Sequence, residues 1–317
     1  MKILPNDGIS ADAVTYLENK GFEVFNTKVA QEQLAKFIQD NKVEVLLVRS
    51  ATQVRKDLID SCPTLKIVGR GGVGMDNIDV DYARSKGIKV INTPAASSRS
   101  VAELVFAHFL TLVRNLQESN RNMPLEGDHN FGKLKKAYSD ASELGGKTLG
   151  IIGFGRIGQD VAKIGIGLGM KVIAFDVEPM TRTLTLNFFD GQKLDFQITT
   201  TTTLDEVLKT ADLISLHVPK QKNYVIGKEE LAKMKKNAVL VNASRGGVVD
   251  EVALATALNE KNIWGAGLDV FEKEPTPEIT LLMNPKLSLS PHIGGSTQEA
   301  QDRIGMELAE QIVQFYQ

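Results

Sequence analysis

Arg245, Glu274 and His292 stand out in the C-terminal half of the chain because their side-chain types complement one another. Arg245 falls in Asn242-Ala-Ser-Arg245-Gly-Gly, just past a run that reads as a buried strand. Its guanidinium is a rigid fork suited to a carboxylate. The alternative is a surface arginine closing the strand. Glu274 sits before Pro275, which holds its backbone extended. Asp269 ends the preceding strand, where it could accept from an amide of a bound ligand. Taken alone, either acid reads equally well as a solvated loop charge. His292 lies in Ser290-Pro-His292-Ile-Gly-Gly. An imidazole titrates near neutrality, and a carboxylate neighbour would orient it for moving a proton. Of the other histidines, His108 falls on an apolar helix face and reads as core, His129 lies in a polar loop, and His217 follows a buried strand. An anion fork, a proton carrier and an acid that tunes the carrier are what hydride exchange with a hydroxy acid requires.

That chemistry needs a cofactor, and the middle of the chain has a seat for one. Gly150-Ile-Ile-Gly153-Phe-Gly155-Arg-Ile-Gly158 ends a short apolar run and opens a helix from Arg156 to about Leu168. Gly153 allows a tight turn, Gly155 lets a pyrophosphate approach the backbone, and Gly158 lets helix and strand pack closely. The helix N-terminus favours the phosphates. Lys171-Val-Ile-Ala-Phe-Asp176 then places a carboxylate where a ribose is expected. An acid there points to NAD, because it would repel the extra phosphate of NADP.

The elements needed to hold these residues alternate along the whole chain. Strands are expected at 2–4, 22–25, 43–48, 65–68 and 89–91, with helices at 10–20, 31–40, 56–61 and 82–86 between them. A capping box, Ser100-Val-Ala-Glu103, is expected to start a long helix to about Asn120. Residues 121–143 read as polar and irregular. A second series follows, with strands at 148–152, 171–175, 213–216, 238–242 and 265–269, and helices at 204–209, 228–234 and 250–260. Thr183 to Ile198 alternates around Asp190-Gly191, a hairpin signal. Another capping box, Ser296-Thr-Gln-Glu299, starts the last helix. The fold class is α/β with two doubly wound parallel-sheet domains. A Rossmann domain at 99–287 is inserted into a flavodoxin-like domain made of 1–98 and 288–317.

Composition narrows the function classes. A length of 317 residues suits two domains, and 42% hydrophobic residues is enough for two cores. A net charge of −2 with no basic block argues against nucleic acid as the main partner. Cys62 is the only cysteine, which fits a reducing cytoplasm. Neither a signal peptide nor a run long enough to span a membrane is expected, and no metal-ligand spacing stands out.

These motifs together resemble the D-isomer-specific 2-hydroxyacid dehydrogenases. The resemblance runs through Gly69-Arg-Gly-Gly-Val-Gly74-Met-Asp-Asn77, Asn92-Thr-Pro94, Ser100-Val-Ala-Glu103, the glycine turn, His217-Val218-Pro219, Asn242-Ala-Ser-Arg245, Leu268 to Pro275, and Pro291-His292. It implies that Arg245, Glu274 and His292 form a catalytic triad. It also implies NAD contacts at Gly153, Gly155, Arg156, Ile157, Gly158, Asp176, His217, Val218, Pro219, Ala243, Ser244, Asp269, Gly294 and Gly295. On the substrate side it points to Arg49 and Ser50, and to Gly71, Gly72, Val73 and Gly74, whose backbone N–H groups would meet a carboxylate. The likeness is strongest to members that oxidise 3-phosphoglycerate. Members that reduce glyoxylate or hydroxypyruvate, and NAD(H)-sensing binding proteins of the same fold, are the alternatives. A homodimer through the NAD domain is the family expectation. One departure is the lack of the usual Trp before the glycine-turn strand. Lys135 and Lys136 in that stretch could reach a phosphate, or could be a solvated loop.

Overall fold

Short runs such as Val45-Leu-Leu-Val48 carry apolar side chains on both faces, so they are stable only as strands covered on both sides. The computed structural model, which describes residues 1–317, arranges them in two compact units. One is Met1–Ser100 with Gly295–Gln317, and the other is Val101–Gly294.

The first unit holds five parallel strands: β1 (Lys2–Pro5), β2 (Glu23–Val24), β3 (Val45–Val48), β4 (Ile67–Arg70) and β5 (Lys89–Asn92). Their order is β2-β1-β3-β4-β5, the flavodoxin-like order. Helices α1 (Ala11–Asn19), α2 (Gln31–Asn41), α3 (Lys56–Ser61) and α4 (Val80–Ser85) connect them. Successive side chains face opposite ways. Leu46 and Val68 therefore pack with Leu34 and Ile38, while Leu47 and Ile67 pack on the other face with Leu17.

The second unit begins within α5 (Ser98–Val113) and continues through α6 (Leu116–Glu126) and α7 (Phe131–Ala137). Its sheet is built from β6 (Thr148–Ile152), β7 (Lys171–Phe175), β10 (Leu213–Leu216), β11 (Val239–Asn242), β12 (Gly265–Leu268) and β13 (Leu287–Leu289). Their order is β13-β12-β11-β10-β6-β7. Between β7 and β10 stands an antiparallel pair, β8 (Thr181–Asn187) and β9 (Lys193–Thr199). Helices α8 (Arg156–Gly167), α9 (Leu204–Thr210), α10 (Lys228–Lys233), α11 (Glu251–Asn259) and α12 (Ile279–Leu282) complete the unit. The chain then returns as α13 (Gln298–Tyr316), which lays Ile304, Leu308 and Ile312 on the first unit's core.

Register decides what the second sheet presents. Ile152, Leu216, Asn242, Leu268 and Leu289 are successive partners across the sheet. The next residues, Gly153, His217, Ala243, Asp269 and Ser290, therefore leave its carboxyl edge in one row.

Four expectations need correction. Residues 288–294 belong to the second unit, because β13 pairs with β12. The expected return at 288 occurs at 295, and His292 stays with the NAD-type sheet. The helix expected from Ser100 begins at Ser98 and breaks at Asn115, whose φ of 50° is left-handed. Residues 121–143 are largely helical, in α6 and α7. No side chain of α6 is buried and Pro124 lies inside it, so no apolar stripe announced it. The last helix is capped by Thr297 rather than Ser296, its side chain accepting from Ala300 N at 3.2 Å.

The hairpin forms as expected. Leu184 and Ile198 turn toward the second unit's core, Phe196 is half-buried opposite Leu184, and Phe188 and Phe189 are exposed at the tip.

Candidate active site

The glycine turn has the geometry that its residue types require. Gly153 has φ 92°, and a Cβ there would lie 2.4 Å from His217 O. A Cβ on Gly158 would lie 2.2 Å from Gly153 O, so that glycine seats α8 against the turn. Gly155 faces open space. The Gly155, Arg156 and Ile157 N–H groups have no protein acceptor. Free donors at the start of a 12-residue helix are what a pyrophosphate needs. Asp176 accepts from Phe154 N at 2.7 Å and Val177 N at 2.8 Å, which fixes its carboxylate beside the turn. Next in the row, His217 holds Ser215 Oγ at 2.8 Å through Nε2, and its buried Nδ1 has no protein partner. Val218 and Pro219 follow it, and Ala243 and Ser244 are buried on the next strand end. These features fit an NAD molecule lying along the carboxyl edge of the sheet.

Arg245, Glu274 and His292, the expected triad, all lie in the second unit. Glu274 Oε2 meets His292 Nδ1 at 2.8 Å, and Glu274 Oε1 accepts from Phe271 N at 2.9 Å. A carboxylate only accepts, so His292 Nδ1 carries the proton and Nε2 is left as the basic atom. Burial works to raise the Glu274 pKa. The bonds from His292 and Phe271, with the His292 and Arg245 charges, outweigh it and hold the carboxyl below its ordinary value. Glu274 is therefore an anion at neutral pH, ready to stabilise an imidazolium. His292 also has φ 55°, an unusual left-handed backbone for a residue with a Cβ.

Arg245 is aimed by its own loop. Asn242, buried at the end of β11, accepts from Ser244 N at 3.0 Å and Ser244 Oγ at 2.7 Å. Its amide donates to Arg245 O at 3.0 Å, and Arg245 Nη1 reaches Ser244 O at 2.6 Å. A Cβ on Gly246 would fall 1.8 Å from Phe271 O, so only glycine lets this loop press on the strand end that leads to Glu274.

Asp269 has a job that sequence reading did not assign. It is buried, with Oδ1 accepting from Ser290 Oγ at 2.6 Å and Ile293 N at 2.8 Å, and Oδ2 from Gly294 N at 2.8 Å. It thus clamps both sides of His292. The clamp extends into the core. Ser290 donates to Asp269, so it must accept from His108 Nε2 at 3.0 Å, and His108 Nδ1 then accepts from Ser288 Oγ at 2.8 Å. His108 is core, as expected, and it is also the buttress of the His292 loop. Only the repeated Ser288-Leu-Ser290 spacing, one face of a strand, hinted at this.

The residues expected on the substrate side lie in the first unit. Arg49 and Ser50 leave the end of β3, and Gly71, Gly72, Val73 and Gly74 follow β4. Gly71 N–H is engaged by Val48 O at 2.9 Å, while the N–H groups of residues 72–74 have no protein acceptor. Gly295 belongs to this unit and Gly294 to the other. Lys135 and Lys136 occupy the last turn of α7, where cations suit the helix dipole.

The buried histidines set a pH dependence. Burial pushes His217 down to about 3, and burial outweighs the Asp269 charge to hold His108 below its ordinary value. Both are neutral in the fold and take up protons on unfolding below the ordinary histidine value of 6.5. The unfolded chain then binds more protons, so this stability is complete above that pH and is lost as pH falls toward each folded value. The slope approaches about 1.4 kcal/mol per pH unit for each histidine. Urea unfolding from pH 7.5 to 5.0 should show the loss, and His217→Asn should reduce the slope. A flat profile would refute it.

Comparison with known proteins agrees with this geometry. Residues 106–294 match the model of the D-isomer specific 2-hydroxyacid dehydrogenase NAD binding domain. A hydroxypyruvate reductase of Thermotoga maritima is 42% identical over 313 residues, covering 97% of this chain and 95% of that protein. A D-3-phosphoglycerate dehydrogenase of Methanocaldococcus jannaschii is 41% identical over 317 residues, and the match covers 98% of this chain but 57% of that longer protein. The structure of a D-lactate dehydrogenase from Aquifex aeolicus, complexed with NAD and lactic acid, superposes with a TM-score of 0.74 at 31% identity, over 100% of this chain and 95% of that one. No helix is long and apolar enough to cross a membrane. A glycine turn with free helix donors, an acid beside it and the matched domain agree: the chain belongs to the D-isomer-specific 2-hydroxyacid dehydrogenase family of NAD-dependent oxidoreductases.

Proposed function

We propose that the chain oxidises D-3-phosphoglycerate with NAD, a reaction that would begin serine biosynthesis. Arg245 holds the substrate carboxylate with its guanidinium fork. His292 Nε2 takes the hydroxyl proton, and Glu274 stabilises the imidazolium through Nδ1. In reduction the same nitrogen returns the proton. The glycine turn and Asp176 would hold NAD along the carboxyl edge of the second sheet, where it would supply the hydride acceptor.

The observation that carries the choice of substrate is Arg49. Its guanidinium has no hydrogen bond or ion pair with any protein group, and it lines a crevice of about 440 Å³ with Ser50 and Lys28. The one acid lining the crevice, Asp7, is engaged by Arg49 N at 2.6 Å, Thr52 N at 3.1 Å and Thr52 Oγ1 at 2.7 Å. The crevice lies at the carboxyl ends of β1 and β3, the switch point of that sheet, where ligands bind in such folds. An unpaired guanidinium there suits a second anionic group on the substrate. The expected result is that kcat/KM for D-3-phosphoglycerate exceeds that for D-glycerate by about 10²-fold or more. Arg49→Met should collapse most of that ratio, since a charged hydrogen bond contributes about 1.5–3 kcal/mol. Faster turnover of D-glycerate or hydroxypyruvate would overturn the assignment. Hydroxypyruvate reduction is the second reading, favoured by the near full-length match to the Thermotoga maritima protein.

A homodimer through the second unit is part of the same proposal. Leu116, Met123, Leu125 and Phe131 of α6 and α7 are exposed apolar side chains on helices that bury almost nothing of their own. Such a surface is characteristic of an interface. Sedimentation at micromolar concentration tests it, and a monomer there would refute it. Work in the cytoplasm fits a chain whose one cysteine, Cys62, is buried and free.

A further inference from the structure

The amino ends of β6, β10, β11 and β12, the sheet edge away from the glycine turn, frame a cavity of about 140 Å³. Its walls are apolar: Val113, Leu213, Val239 and the indole of Trp264. A cavity of about this volume holds a benzene-sized body.

Four polar side chains also line it and are under-used. Lys147 makes no hydrogen bond or ion pair with another protein group, nor do the Ser142 hydroxyl and the Asn237 amide. Asp140 accepts only a neutral amide, Asn115 Nδ2 at 2.8 Å. A third charge in the cavity, Asp212, is already matched by Lys235 at 2.8 Å and Thr148 N at 2.9 Å. Asp140 thus lines the cavity with no cation bonded to it, and Lys147 lines it with no acid within ion-pair distance, its charge acting on Asp212 only from further off. A simple anion would leave Asp140 repelling it, and a simple cation would leave Lys147 doing so.

We propose that this cavity binds a small zwitterion, a free amino acid with a short apolar side chain. The carboxylate meets Lys147, the ammonium meets Asp140, and the side chain lies against Trp264 and Val239. The site is separate from the carboxyl-edge row and does not depend on the proposed reaction.

Trp264 is the only tryptophan, so its emission reports on the cavity directly. The intact protein is titrated with L-valine, and in parallel with isobutyrate and isobutylamine, each of which lacks one of the charges. The expected result is a saturable change with L-valine, little change with the other two, and a higher unfolding temperature in its presence. Lys147→Met and Asp140→Asn should each raise the half-saturating L-valine concentration about tenfold or more. Asp140 is exposed and Lys147 only half-buried, so the fold should be kept. An absent or unsaturable response, an equal response to isobutyrate or isobutylamine, or unchanged titration of both variants would overturn the proposal.

Discussion

Replacing His292 with alanine is expected to lower kcat by a factor of about 10²–10⁴ while KM for the hydroxy acid changes little. The reason is geometric. Nδ1 is fixed on Glu274 at 2.8 Å, so Nε2 is the ring nitrogen left for the proton in the proposed mechanism. Alanine removes that atom and leaves the Arg245 fork untouched. Glu274→Gln should cost less, because glutamine still accepts from Nδ1 but does not stabilise a charged ring. Steady-state rates with saturating NAD and D-3-phosphoglycerate check both. Turnover of the alanine variant within about threefold of the parent would remove His292 from the mechanism.

The second large effect is expected at Asp269. Alanine there leaves the buried Gly294 N–H and Ser290 hydroxyl, and the part-buried Ile293 N–H, without their acceptor. Stranding buried donors costs about 1–3 kcal/mol each, so a total of several kcal/mol of stability should be lost. The loss should not stop at stability. The same three bonds hold His292 in its left-handed backbone, and an ion-pair partner displaced by 1 Å can cost about 10²-fold in rate. Asp269→Asn is the sharper probe, since it keeps the shape and one acceptor oxygen. Denaturant unfolding and kcat measured together check the idea. A variant that is destabilised yet turns over normally would show that the clamp does not position His292.

The parts of this molecule that were legible in the sequence are those where burial writes a pattern. Strands covered on both faces appear as unbroken apolar runs, so β3, β6, β10 and β11 were found to within a residue or two. The glycine turn was legible because three glycines, a strand and an acid each have a steric or electrostatic reason to be there. The illegible parts lack such a pattern. α6 buries nothing, so no period marks it. β13 is three residues long, too short to signal which sheet it joins. Asp269 hid its positioning role because two of its partners are backbone N–H groups 24 and 25 residues away, and a backbone donor leaves no trace in residue identity.

The nested order of the units has a consequence for how the chain is made. The first unit's sheet waits for α13: Ile3, Leu17, Leu47 and Ile67 pack with Ile304, Leu308 and Ile312. Residues 101–294 must leave the ribosome before those partners exist. At about 5–20 residues per second that interval is roughly 10–40 s. For that time one face of the early strands is uncovered and open to chaperones or to wrong partners. The second unit is continuous and can close its core meanwhile, so the part of the protein that carries the triad is the first that can be finished.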